Sequence, residues 1–253
     1  MFNVLVTEHV HESGMELLTQ AKDVSTTIRT GMNRSELLGA VAEADAMLTR
    51  SGTPLDRELF DHAARLRVVA RAGVGVDNID ISEASRRGVV IINAPTGNTL
   101  AAAEHTMAMM LALVRRLPHA HASVHGGEWR RKDFMGHQLH GKKLLIVGLG
   151  RIGSQIALRA RAFGMDVYGY DPYVASSHIG NLGVTLLDDL DGALAIADVV
   201  ALHVPLTAET RGMLGAREVK SMKQGAYLVN CARGNLADAI GVRVDDLRGM
   251  VLH

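Results

Sequence analysis

Short apolar runs alternate with segments of helical spacing from the first residues onward. FNVLV reads as a strand, SGMELLTQA and SELLGAVAEA as helices, and AMLTR as a strand again. The alternation continues through LDRELFDHAA (helix), LRVVARA (strand), SEASRRG (helix) and VVIINA (strand). Strands with so few polar positions are usually covered on both faces, which means a parallel sheet between helices. The turn cluster NAPTGNT, residues 93–99, interrupts the series. A long helix, LAAAEHTMAMMLALVRR, follows, with Asn98 or Thr99 as its N-cap; Pro118 is expected to end or bend it. A second series starts at Gly141: KKLLIVG, DVYGYD, DVVALHV and AYLVNCA as strands, RIGSQIALRARAFG as a helix. The chain is therefore expected to hold two doubly wound α/β units, residues 1–98 and 99–253, with no internal repeat.

Composition narrows the partners. Lys+Arg and Asp+Glu are 27 each, so no overall field draws the chain to nucleic acid or an anionic membrane. An anionic ligand must be met by local arginines. Cys231 is the sole cysteine and cannot close an internal disulfide, which favours a reducing compartment. The N-terminus reads as a strand rather than a signal peptide, and the apolar run MAMMLALV is too short to span a bilayer. A cytoplasmic protein is expected. No Cys/His cluster has metal-ligand spacing, so no metal is expected.

The strongest chemical signal is VGLGRIG. Gly148, Gly150 and Gly153 stand in G-x-G-x-x-G spacing, with Arg151 and Ile152 between them, after an apolar strand and at the start of a helix. In such a turn the first glycine permits the tight bend, the second lets a pyrophosphate approach the backbone, and the third lets helix and strand pack closely. The helix N-terminus offers free N–H groups to the phosphates. Asp171, before Pro172, lies 18 residues past Gly153 at a strand end, where an acid meets the adenosine ribose hydroxyls. A carboxylate there repels a 2′-phosphate, so NAD is favoured over NADP. The alternative is an ordinary glycine-rich turn with Asp171 as a turn residue.

Beyond this turn the sequence resembles a known family. RAGVGVDNID (71–80), NAPTGNT (93–99), AAEHT (102–106), WRRKDFMG (129–136), GLGRIG (148–153), YDP (170–172), LHVPLT (202–207) and NCARG (230–234) resemble, in order, motifs of the D-isomer-specific 2-hydroxyacid dehydrogenases. The likeness covers roughly residues 1–234 and is greatest to the branch acting on 3-phosphoglycerate. The resemblance implies a flavodoxin-like substrate domain, a Rossmann NAD domain and a homodimer formed through the latter.

Interconverting a 2-hydroxy acid and a 2-keto acid moves a hydride and a proton. NAD takes the hydride, a base takes the hydroxyl proton, and a cation holds the carboxylate. In the family an Arg, a His and a Glu share these tasks. Arg233 matches the arginine; a surface salt bridge is its alternative. The backbone N–H groups of Val74 and Gly75, with Gly73, resemble a carboxylate cradle. Arg50 and Ser51 resemble side chains that meet substrate oxygens, and Arg71 is a further candidate. Arg131 resembles an arginine that reaches a partner subunit's phosphorylated substrate. For Arg50, Arg71 and Arg131 solvated surface charge is the alternative. His203, Val204 and Pro205 resemble residues lining the cofactor, as do Cys231 and Ala232, and Thr210 is expected at the pyrophosphate or its loop. His203 is not read as the base, and His105 is expected to be packed or capping.

The likeness ends between Asn235 and Ala239. No Pro-His pair and no counterpart of the family Glu follow, and His253 carries no family context. A frame slip or truncated gene product is expected to have replaced residues 235–253, leaving the NAD unit incomplete. On that reading the AYLVNCA strand becomes an exposed edge, and NAD binding outlasts catalysis.

Overall fold

A computed structural model describes residues 1–237 and 249–252. It divides into two units, Met1–Asn98 and Thr99–His253.

In the first unit the order is β1 (Phe2–Val6), α1 (Glu12–Thr19), β2 (Val24–Ile28), α2 (Arg34–Val41), β3 (Ala46–Thr49), α3 (Arg57–His62), β4 (Val68–Arg71), α4 (Ile81–Arg86) and β5 (Val90–Asn93). The strands form one parallel sheet in the order β2-β1-β3-β4-β5. This is the flavodoxin-like order, whose direction reverses between β1 and β3. Leu5, Met47 and Val69 from the sheet meet Leu37 and Val41 of α2, Leu59 and Phe60 of α3, and Ala84 of α4 in one core. The helices start where side chains satisfy their free amides. Asn33 and Glu36 form a reciprocal capping box, while Asp56 and Asp80 accept from Leu59 N and Glu83 N.

The second unit runs α5 (Thr99–Val114), α6 (Leu117–His125), a 3₁₀ turn Arg131–Phe134, β6 (Lys143–Val147), α7 (Arg151–Ala162), β7 (Asp166–Tyr170), α8 (Ser176–Ile179), β8 (Thr185–Leu186), α9 (Leu190–Ile196), β9 (Val199–Leu202), α10 (Ala216–Ser221), β10 (Tyr227–Asn230), a 3₁₀ turn Gly234–Leu236 and β11 (Gly249–Leu252). All six strands are parallel, in the order β11-β10-β9-β6-β7-β8. Counted within the unit this is 6-5-4-1-2-3, the dinucleotide-binding order. The central strand β6 alternates its side chains between two cores. Leu144 and Ile146 join α5 and α7 on one face; Leu145 and Val147 join α9 and α10 on the other.

Three expectations need correction. The AYLVNCA strand is not left at an edge, because β11 pairs with β10 from Tyr227↔Gly249 to Asn230↔Leu252. A four-residue stretch, Gly-Met-Val-Leu, is enough to meet its backbone groups. The long helix is not ended by Pro118. It stops at Val114, Arg116 adopts a left-handed conformation (φ 54°), and Pro118 sits in the first turn of α6, where its missing N–H costs nothing. His105 lies on the exposed side of α5 rather than in a packed position. Of the tail expected to be aberrant, residues 238–248 and His253 lie outside the described residues.

Candidate functional site

The glycine turn connects β6 to α7. Gly148 is left-handed at φ 97°, and a Cβ there would stand 2.7 Å from the His203 carbonyl oxygen and 2.9 Å from Val204 Cγ1. A Cβ on Gly153 would press into the Gly148 carbonyl, so α7 can approach the turn only because residue 153 is glycine. A Cβ on Gly150 would meet nothing within 4 Å. The outer side of the turn is thus open while its inner sides are filled. Arg151 is exposed at the helix start, and Ile152 is half-buried against the α5/α7 core.

Asp171, at the end of β7, latches this turn. Its Oδ2 accepts from Leu149 N at 2.9 Å and its Oδ1 from Tyr173 N at 2.9 Å, past exposed Pro172. A carboxylate offers about four lone-pair sites, so two remain for ribose hydroxyls. The loop after β9 forms the facing wall. His203 N donates to Val147 O at 2.7 Å, and Thr210 Oγ1 donates to Pro205 O and accepts from Thr207 N. Thr210 therefore holds its own loop in shape. Burial pushes the His203 imidazole down to about 4, and its Nε2 is buried without a hydrogen-bond partner. An open-sided glycine turn, a strand-end carboxylate with spare lone pairs and a neutral, unsatisfied ring nitrogen fit a dinucleotide.

Arg233 follows β10 at the carboxyl edge of the same sheet. Asn230, fully buried, shapes the intervening turn: its Oδ1 accepts from Ala232 N, and its Nδ2 donates to Arg233 O at 2.8 Å. Arg233 is half-buried and donates from Nη1 to Ala232 O. Cys231 packs against the α5/α7 core; burial raises its thiol, outweighing the hydrogen bond with Thr106. Ala232 packs on the opposite core. Arg131 stands apart in its 3₁₀ turn, exposed and with no hydrogen-bond or ion-pair partner among the described residues.

In the first unit, two loops at the carboxyl edge carry the remaining candidates. Arg50 and Ser51 follow β3 and are exposed. Arg71 ends β4 and is only 9% exposed, so it is not a solvated surface charge. Gly73, Val74 and Gly75 come next; a Cβ on Gly73 would stand 2.6 Å from Arg71 Nη1. Asn93 Nδ2 donates to Val74 O at 2.7 Å.

Two residues that sequence reasoning passed over organise these loops. Glu8, at the end of β1, accepts from Arg50 N, Thr53 N, Thr53 Oγ1 and Thr49 Oγ1 at one oxygen and from Gly52 N at the other. Burial pushes its carboxyl up, but those hydrogen bonds together bring it below the ordinary carboxylate value. Asn78 joins the two loops: its Nδ2 donates to Arg50 O and Thr53 O, and its Oδ1 accepts from Arg71 Nε at 3.0 Å. Asn78 lay within the RAGVGVDNID motif, which was a signal; Glu8 had none.

Among the described residues, no three His, Cys, Asp or Glu side chains stand together as a metal-holding group, and no helix is long and apolar enough to cross a membrane.

Residues 107–242 match the family model described as D-isomer specific 2-hydroxyacid dehydrogenase, NAD binding domain. The D-3-phosphoglycerate dehydrogenase of Methanocaldococcus jannaschii is 44% identical over 238 residues, 94% of this chain and 45% of that protein. The Bacillus subtilis protein of the same name is 43% identical, again over 94% of this chain and 45% of its own length. The chain thus spans less than half the length of these curated relatives. Among solved structures, D-lactate dehydrogenase of Aquifex aeolicus, in complex with NAD and lactic acid, superimposes with a TM-score of 0.89 at 31% identity, covering 99% of this chain and 76% of that one. A Thermus thermophilus protein gives 0.90 at 34% identity, covering 99% of this chain and 81% of that one. The chain belongs to the D-isomer specific 2-hydroxyacid dehydrogenase family and carries that family's NAD-binding domain.

Proposed function

We propose that this chain supplies the cofactor and carboxylate sides of an NAD-dependent dehydrogenase acting on the CH–OH group of a D-2-hydroxy acid. The acid favoured is 3-phosphoglycerate, oxidised to 3-phosphohydroxypyruvate as a step towards serine. One observation carries the reading: Arg233 is fixed by Asn230 at the carboxyl edge of the very sheet whose glycine turn fits a dinucleotide. NAD supplies the hydride acceptor. The chain's own groups do the rest. The Gly148–Gly153 turn and the N-terminus of α7 hold the pyrophosphate, and Asp171 holds the ribose. The guanidinium of Arg233 pairs with the acid's carboxylate and polarises the carbonyl of the keto form. Backbone N–H groups at Val74 and Gly75, with Arg50, Ser51 and Arg71, are the carboxylate-side candidates of the first unit. The names of the curated relatives support 3-phosphoglycerate, as does the unpaired cation of Arg131 beside Lys132, which suits a phosphate. A homodimer through the NAD unit is supported by the exposed apolar side chains around Arg131: Val124 at 55%, Trp129 at 75% and Met135 at 78%. A cytoplasmic location accords with this chemistry.

A second reading is an NAD-binding module without turnover, because the described groups around the glycine turn and Arg233 bind and orient and none of them is placed as a general base. Removing a general base lowers rate by about 10²–10⁴. The deciding experiment follows NADH formation with 3-phosphoglycerate and, separately, NADH binding by fluorescence. Oxidation abolished by Arg233→Ala supports the first reading. Saturable NADH binding without oxidation leaves the second. Absence of NADH binding in folded protein sinks both.

A further inference from the structure

Helix α6 has no buried residue, and it carries His119, His121 and His125 along nine positions. His121 and His125 are one helical turn apart and project from the same side. Their rings already face each other, with centroids 5.9 Å apart and planes 17° from parallel. Both are exposed, and among the described residues neither has a hydrogen-bond or ion-pair partner. His125 is the last residue of the helix, and Gly126 caps it. The pair therefore stands over the final turn, at the negative end of the helix dipole, which favours a cation even though Ala122 O, Ser123 O and Val124 O accept from Gly126 N, Glu128 N and Gly127 N.

We propose that His121 and His125 form a two-imidazole site for a divalent d-block cation, with Cu²⁺ bound most tightly and Zn²⁺ less so. Imidazole nitrogen suits these ions, and Cu²⁺ heads the affinity order for nitrogen ligands. Mg²⁺ and Ca²⁺ want oxygen and are excluded by ligand type. Two nitrogens at about 2.0–2.1 Å from one ion lie closer together than the present rings. The gap closes by rotating two exposed side chains, with no change in the helix. The second imidazole then binds as an intramolecular step, at high effective concentration. No third His, Cys, Asp or Glu among the described residues joins the pair, so water fills the other positions. His119 points to a different side of α6 and takes no part.

The test uses the full chain without an affinity tag, in a Cys231→Ser background to remove thiol ligation. Cu²⁺ is titrated by calorimetry, and bound ions are examined by electron paramagnetic resonance. One Cu²⁺ per chain with nitrogen hyperfine splitting is expected. His121→Ala and His125→Ala should each weaken binding about tenfold or more by ending chelation, while His119→Ala changes it less than about twofold. Each substitution leaves the helix intact, since alanine is the best helix former. Zn²⁺ should raise the melting temperature of the parent chain but not of His121→Ala. Equal affinity in all three variants, or a signal from oxygen ligation alone, overturns the proposal. This result is independent of NAD binding and of turnover.

Discussion

Asp171 does two things at once. It holds Leu149 N in the glycine turn, and on the proposed reading its spare lone pairs meet a ribose. Hydrogen bonds to a charged group contribute about 1.5–3 kcal/mol, so Asp171→Ala should weaken NADH binding about tenfold or more in a fluorescence titration. Unchanged affinity would remove Asp171 from the cofactor site. His203 yields a pH dependence. Its imidazole titrates near 4 when folded, against an ordinary value of 6.5. The unfolded chain therefore binds the proton more readily, and this residue's contribution to stability is lost as pH falls from 6.5 towards 4. Denaturant titrations across that range should show a shallower loss for His203→Gln than for the parent chain. Glu8 works in the same direction at lower pH, since its carboxyl is held below the ordinary value. Replacing it with Gln presents an amide to N–H donors and should remove about 1–3 kcal/mol of stability. The glycines and Asp171 were legible because their spacing along the chain is itself the signal. Glu8 was not, since its partners lie 41–45 positions away and meet it only after β1 and β3 pair.

Elements declared themselves according to how much of their surface is buried. Strand β6, with Leu144 to Val147 fully buried, is plain in the sequence. Strand β2, VSTTI, is not, because no residue in it is buried and its serine and threonines resemble a loop. Its β-branched residues were the available cue. The break between α5 and α6 was read from Pro118, but the turn is made by Arg116, a residue with no intrinsic preference for the left-handed region. Strand β11 escaped notice because four residues give too little pattern to read. The packing of α7 supplies a sharp test. A methyl at residue 153 has no room against Gly148 O, so Gly153→Ala should push α7 from β6. NADH affinity should fall more than melting temperature, because the glycine turn moves while both cores persist. The reverse order would place the role of Gly153 in folding alone.

At the scale of the molecule, each unit closes its own core. The first gathers residues between Leu5 and Val89, and the second gathers residues from Ala103 onward. This division was legible because two strand–helix series are separated by a turn cluster and a long helix. Separate cores imply separate cooperative transitions. Scanning calorimetry should resolve two, with NADH raising only the one belonging to residues 99–253. A single transition that NADH shifts as a whole would contradict that picture. The strand order also sets a timetable. Because β6 lies against β9, Lys143 N meets Asp198 from 55 positions away, and Gly148 is backed by His203. On a ribosome the glycine motif emerges long before its back wall is made. A growing chain can display the whole nucleotide signature and still be unable to hold a nucleotide until the loop after β9 has left the exit tunnel.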